Sequence, residues 1–203
     1  MSRYSDLDDY VDPISGVLKN RFGIVDATLL SETEADLAAA RSRELALAPL
    51  KGKFDLAHLQ AIHKYLFGDL YDWAGRLRTV DISKNGHLFA HHAHLAFAAK
   101  ELFSKLAQER CLAGLGQNAF ASRTAYFFSE INALHPFREG NGRTQREFLS
   151  FLALRNGYYI AWEQLDQARM LQASIESFHG DLRNLTLLFR EITQPAHGST
   201  VSD

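Results

Sequence analysis

Twelve consecutive residues constrain this chain more than any other stretch: His135-Pro136-Phe137-Arg138-Glu139-Gly140-Asn141-Gly142-Arg143-Thr144-Gln145-Arg146. They separate two apolar segments with helical periodicity, Asn118–Leu134 and Arg143–Asn156. Proline disfavours the helical conformation in the residue before it, so the first helix should end at His135. Gly140-Asn141-Gly142 permits a tight turn whose N–H groups point inward, and a helix N-terminus directly afterwards adds partial positive charge. Such a turn suits an anion. Arg143 and Arg146 are three apart, so both guanidinium groups face the same mouth and can grip phosphate oxygens as forks. Glu139 alone would repel a phosphate; with Mg²⁺ between them it becomes a bridge. His135 is the only group here that titrates near neutrality, which makes it the candidate general base. Together these residues describe chemistry on a polyphosphate, with a hydroxyl as the attacking group.

Each residue also has a plainer reading. A histidine after a helix is often a cap, Glu139 and Arg143 could form an ordinary ion pair, and Gly-Asn-Gly could be any turn. All of these would have to coincide within one frame, so the catalytic reading is the better one.

The run HPFREGNGRTQR resembles the signature of the Fic family, HPFx(D/E)GNGRxxR, with every specified position present. The resemblance implies an all-α, Fic-type helical bundle with one β-hairpin flap. It implies a protein adenylyltransferase that moves AMP from ATP to a protein hydroxyl on Tyr, Ser or Thr. In that reading His135 is the base, Glu139 holds Mg²⁺, Gly140, Asn141 and Gly142 cradle phosphates, Arg143 and Arg146 contact the outer ones, and Phe137 anchors the loop in the core. A related kinase, the Doc type, has Lys where this chain has Gly142, so Gly142 with Arg146 favours AMP transfer. A non-catalytic strand-binding module is the third reading, and the intact His135, Glu139, Arg143 and Arg146 speak against it.

The chain of 203 residues, 46% hydrophobic, is long enough for one well-filled core, and residues 1–194 are expected to form a single domain with 195–203 a disordered tail. Net charge of −2 gives no reason to expect nucleic acid or an anionic membrane as partner. One cysteine, Cys111, excludes a disulfide framework and suits a reducing compartment. The acidic start MSRYSDLDDY lacks the apolar stretch of a signal peptide, and no apolar run reaches the roughly 20 residues of a membrane span. The expectation is a cytoplasmic protein.

Asp12-Pro13 should open a short helix ending near Phe22-Gly23. Ser31-Glu32-Thr33-Glu34 reads as a capping box for a helix to about Leu47, and Asp55 as the cap of another from Leu56 to about Asp69. Val17–Asn20 and Tyr71–Gly75 resemble the opening of bacterial Fic domains and are read as scaffold. Thr79–Ala90 carries the only clear β signal, with Val80 and Ile82 alternating with Asp81 and Ser83 around an Asn85-Gly86 turn. By the resemblance, Val80, Asp81, Ile82, Ser83 and Lys84 form the target-binding flap, whose edge takes an extended target segment by strand addition. His87, His91, His92 and His94 lie close together, but no Cys, Asp or Glu falls between them to complete a metal set, so they are read as solvated or target-contacting. Leu95–Arg110 is amphipathic, Phe148–Leu154 is apolar nearly all round, and further helices are expected over Trp162–His179 and Asp181–Thr193.

Many Fic enzymes carry an inhibitory helix of pattern (S/T)xxxE(G/N), whose glutamate pairs with the second motif arginine. The only Glu followed by Gly or Asn here is Glu139, four residues after His135. The resemblance to short bacterial Fic toxins therefore implies a small helical antitoxin that supplies this glutamate in trans, with topoisomerase (gyrase) ATPase subunits as targets by analogy.

Overall fold

The structure, a computed structural model, describes residues 8–84 and 87–196. Seven α-helices carry it: α1 (Ala27–Leu47), α2 (Leu56–Phe67), α3 (Leu95–Gln108), α4 (Gln117–Leu134), α5 (Asn141–Arg155), α6 (Gln167–Phe178) and α7 (Arg183–Ile192). The expected fold class is the one observed.

α4 and α5 run through the middle. α4 buries Phe120, Thr124, Phe127, Phe128 and Ile131 at helical spacing, and α5 buries Phe148, Leu149, Phe151 and Leu152. α3 lays the stripe Leu95, Ala99, Leu102 and Leu106 against them, while α7 packs on α4 and α2 on α5. The buried apolar side chains of all these elements form one contiguous cluster. The end of α5 departs from expectation: Leu154 is 56% exposed, so its apolar face closes at Ala153.

Several helix starts differ from the sequence reading for local reasons. No helix forms after Asp12. Its carboxylate instead accepts from the backbone N–H groups of Ile14 and Ser15, Gly16 takes φ +71°, and Val11 bridges Leu18. A side-chain turn has outcompeted the helix. α1 begins four residues before the proposed capping box because Asp26 caps it, accepting from Leu29 N at 2.8 Å. Glu34 is thereby left inside the helix with a different task. Asp55 caps α2 as expected, accepting from His58 N at 2.9 Å. The expected helix from Trp162 starts at Gln167 instead, capped by Asp166.

The flap is shorter than the sequence suggests. Strands β1 (Ser83–Lys84) and β2 (His87–Leu88) pair antiparallel, Ser83 with Leu88 and Lys84 with His87. Val80 and Asp81 lie outside the ladder because side chains bind this segment instead, while Ile82 O accepts from Phe89 N at 3.2 Å just beyond it. The Arg78 guanidinium takes the carbonyls of Val80 and Ala90, and Asp81 holds His91 and His92. The Asn85-Gly86 turn falls outside the described residues, as do 1–7 and 197–203 of the termini. A second small sheet was not anticipated: β3 (Tyr158–Ile160) pairs antiparallel with β4 (Thr193–Pro195), so Pro195 belongs to the fold rather than to a tail. Pro195 sits at the end of an edge strand, where its missing N–H does least harm.

Candidate active site

His135 caps α4 in the left-handed conformation, φ +46° and ψ +62°. That conformation is strained for a residue with a Cβ and persists only where its surroundings enforce it. Two backbone contacts do so: His135 N donates to Ile131 O at 3.0 Å, and the buried Arg78 donates from Nε to His135 O at 2.8 Å. The imidazole Nδ1 lies 3.2 Å from Asn132 O. A carbonyl can only accept, so Nδ1 carries the proton and Nε2 keeps its lone pair. Burial, then the positive charges of Lys84 and Arg78, push the ring down to about 4, against the hydrogen bond to Asn132 that favours the charged form. At neutral pH His135 is an uncharged base with its reactive nitrogen unclaimed.

The loop after it is fastened by side chains. Phe137 is buried, and Asn141 brackets it: Oδ1 accepts from Phe137 N and Nδ2 donates to Phe137 O, both at 2.8 Å. Asn141 is therefore a loop clamp whose side chain faces the core, and its place at the first turn of α5 leaves only its backbone available to an anion at the turn. Gly140 takes φ +78°, and a Cβ there would stand 2.4 Å from the Phe67 ring. Only glycine fits. Gly142 is helical, and a Cβ on it would meet nothing within 4 Å, so space is open over the start of α5. Thr144 closes the turn, its hydroxyl and N–H both donating to Gly140 O.

The charged members surround this nest. Glu139 is about half exposed, its carboxylate accepting from Gly140 N at 2.8 Å and lying 3.9 Å from Arg143 Nη2. A single accessible carboxylate beside phosphate donors fits Mg²⁺, which keeps several waters and takes few protein ligands. Arg143 stacks over Phe67 at 4.8 Å and is bound by Glu34 from α1. The Arg146 side chain donates no hydrogen bond to any described residue although it reaches solvent, and partial desolvation, then the like charge of Arg143, holds its pKa below the usual arginine value. His135 and Arg146 share a cavity of about 420 Å³ with Lys84 and Phe89 of the flap and Met170 and Ile175 of α6. Of the flap residues proposed to bind a target, Lys84 faces this cavity, Ile82 is buried, and Asp81 is occupied by His91 and His92.

Several contributors escaped the sequence reading, and Asp81, named there only as a flap residue, takes a further part. Arg78, 2% exposed, joins the flap to the end of α4 and the motif loop through the carbonyls of Val80, Ala90, Leu134 and His135. His63 stacks on Phe137 at 3.9 Å, accepts from Gly75 N at Nδ1, and so donates from Nε2 to Glu139 O at 2.9 Å. Burial lowers its pKa to about 4, which keeps it neutral. The only sequence signal was a histidine on the apolar face of α2. Asp8 pairs with Arg138 at 2.8 Å, tying the N-terminal segment to the loop. Asp81 completes a cluster with His91 and His92, which the spacing of the histidines alone did not suggest. Ala93 N donates to His91 Nδ1, so His91 Nε2 bears the hydrogen offered to Asp81, and the cluster works as a hydrogen-bonded clasp at the foot of the flap.

Known proteins resemble this chain in sequence and fold. The Fic/DOC family pattern matches residues 53–153. The protein named probable protein adenylyltransferase Fic from Salmonella typhimurium is 38% identical over 190 residues, covering 93% of this chain and 94% of that protein. This chain belongs to the Fic/DOC family. The protein adenylyltransferase VbhT of Bartonella schoenbuchensis is 46% identical to this Fic chain over 183 residues, 90% of the chain. The chain spans 38% of VbhT's length. The BepC protein of Bartonella tribocorum, a VirB-translocated effector solved with bound AMPPNP, superposes with a TM-score of 0.86 at 29% identity, covering 92% of this chain and 96% of that one. Among the described residues no helix is long and apolar enough to cross a membrane.

Proposed function

We propose that this Fic chain is a protein adenylyltransferase that transfers AMP from ATP to a hydroxyl side chain of a target protein. The observation that carries the reading is His135 Nε2, an unprotonated and unclaimed base, in one cavity with Arg146 beside the Gly140–Gly142 turn. The names of the Salmonella and VbhT relatives and the AMPPNP held by BepC support the same reaction and the same nucleotide.

His135 takes the proton of the target hydroxyl, and the oxygen attacks the α-phosphorus of ATP. The bond between that phosphorus and its bridging oxygen breaks, so AMP remains on the target and pyrophosphate leaves. Arg143, Arg146 and the N–H groups at the start of α5 hold the departing phosphates, where fixed donors stabilise developing charge. Glu139 is the side chain that would hold Mg²⁺, whose charge would neutralise the phosphates. Ser83 and Lys84 of the flap align an extended target segment beside His135. A cytoplasm, which supplies ATP, is the compartment this reading favours.

A small helical antitoxin that carries a glutamate in trans fits this chain. α1 presents Ala35, Ala38, Ala39 and Ser42 to a groove of about 350 Å³ that reaches Arg143 and Arg146. Small side chains let a second helix approach closely, and a glutamate on it would meet Arg146. Topoisomerase ATPase subunits are target candidates by analogy, with tyrosine as acceptor.

The test is incubation of the chain with labelled ATP and target extract, followed by mass spectrometry of the modified protein. An AMP adduct that disappears in His135→Ala is expected, with a loss of about 10²–10⁴-fold for a missing general base. A phosphate adduct would overturn the reading in favour of a kinase.

A further inference from the structure

Arg143 is held by a carboxylate that lies far outside the twelve-residue motif. Glu34 of α1 precedes it by 109 residues, and its side chain is only 10% exposed. Glu34 Oε1 accepts from Arg143 Nη2. Its second oxygen, Oε2, accepts from the Tyr71 hydroxyl at 2.5 Å. Tyr71 is itself buried and stacked on Trp73 at 4.4 Å, 18° from parallel, so the hydroxyl cannot swing away. Burial first, then the bond to Glu34, raises its pKa well above the ordinary value, and the hydroxyl remains a donor.

Arg143 itself is 31% exposed, on a side chain with many rotamers. Left alone it would sample many positions at the mouth of the nest. Three contacts restrict it. Glu34 takes one edge, the Phe67 ring lies beneath its face at 4.8 Å, and Glu139 approaches from the side at 3.9 Å. A guanidinium has five N–H donors, and Glu34 engages it through Nη2 alone, so donors remain for phosphate oxygens. An exposed ion pair of this kind would contribute little, but here the acid is buried and braced on its far side before the arginine arrives.

We infer that Glu34, braced by Tyr71, is a positioning residue that pre-orients Arg143 toward the outer phosphates of the bound nucleotide; this rests on the adenylyltransferase reading. Glu34 touches neither substrate nor reacting atoms. It acts by reducing the ordering that Arg143 must undergo when ATP binds.

The measurements are calorimetric ATP binding and the split of KM from kcat for Glu34→Gln, Tyr71→Phe, Arg143→Ala and the double variant Glu34→Gln with Arg143→Ala. Glu34→Gln keeps shape and removes the charge; ATP should bind about tenfold more weakly, within the range that misplaced positioning groups cost. Tyr71→Phe should shift binding in the same direction by less, because the charge stays while one brace is lost. In the Arg143→Ala background Glu34→Gln should add nothing, since the group it positions is gone. A merely structural Glu34 would weaken binding equally with and without Arg143, and that result overturns the inference. Tighter ATP binding by Glu34→Gln also overturns it, because Glu34 would then be a competitor of the phosphates. Failure of the unaltered protein to bind ATP would instead remove the function reading, and the inference with it.

Discussion

Phe89 of the flap lies flat against His135, ring centroids 3.8 Å apart and 13° from parallel. The stack does two things at once. It fixes the plane of the imidazole, and it keeps water from the ring, which favours the neutral base. The flap is thus part of the environment of His135 as well as the proposed surface for a target.

That relationship gives a pH prediction. The folded pKa of His135 is lowered from 6.5 to about 4, so the unfolded chain binds the proton more readily between those values. Its contribution to stability is present above pH 6.5 and is lost as pH falls toward 4. Activity should follow the same base and stay level from pH 8 to near 6. Phe89→Ala lets water reach the ring, so its pKa should climb toward 6.5 and activity at pH 6 should fall relative to pH 8. A pH–rate profile of kcat/KM for both proteins checks this, and superimposable acid limbs would count against the role of the stack.

Gly140 and Gly142 are two apart in the motif and should respond differently to alanine. Gly140→Ala forces a Cβ into positive φ and against Phe67, a destabilisation on the order of 3 kcal/mol from backbone strain and overpacking together. Gly142→Ala meets no protein atom and sits in a helix, where alanine is favoured by up to about 1 kcal/mol. Its methyl would occupy the space open over the first turn of α5. Thermal denaturation should therefore separate the two, with Gly142→Ala stable yet weaker in nucleotide binding. Equal stability of both variants would show that Phe67 yields.

The contrast between these glycines and Glu34 shows what sequence could and could not reveal. The motif was legible because its parts are contiguous: the proline stop, the turn and the paired arginines all act within twelve residues. The apolar stripes of α3, α4 and α5 were legible from their period. Glu34, His63 and Arg78 were not, because they reach the site across 109, 76 and 57 residues of intervening chain. Glu34 also satisfied a local rule, the capping box, that Asp26 had already fulfilled. Asp12 misled for a related reason, since the same carboxylate geometry that caps a helix also closes a turn.

Glu139→Ala should change how activity depends on Mg²⁺. In the proposed site its carboxylate is the motif side chain that would hold a hard cation beside the phosphates, and its loss would leave only phosphate and water oxygens. The requirement for Mg²⁺ should shift to higher concentration while the fold, which Glu139 supports through its backbone bond to His63, is unchanged. A Mg²⁺ titration of turnover that overlays the unaltered protein would remove Glu139 from the metal site.

The flap should separate target recognition from nucleotide binding. Its ladder holds only two pairs, Ser83 with Leu88 and Lys84 with His87, and so short a ribbon is marginal by itself. Its base is anchored independently by Arg78 and by the Asp81 clasp, which leaves α5 and the nest untouched by changes at the strands. Lys84→Pro removes the backbone donor at one of the two pairs, and proline is tolerated poorly there. Target modification should fall by about two- to tenfold for each main-chain hydrogen bond lost, while ATP binding stays within about twofold. Because the Lys84 side chain also faces the cavity, Lys84→Ala is the control that removes the amine and keeps the N–H. If Lys84→Ala impairs modification as much as Lys84→Pro, recognition runs through the side chain and strand addition is the wrong description of the flap.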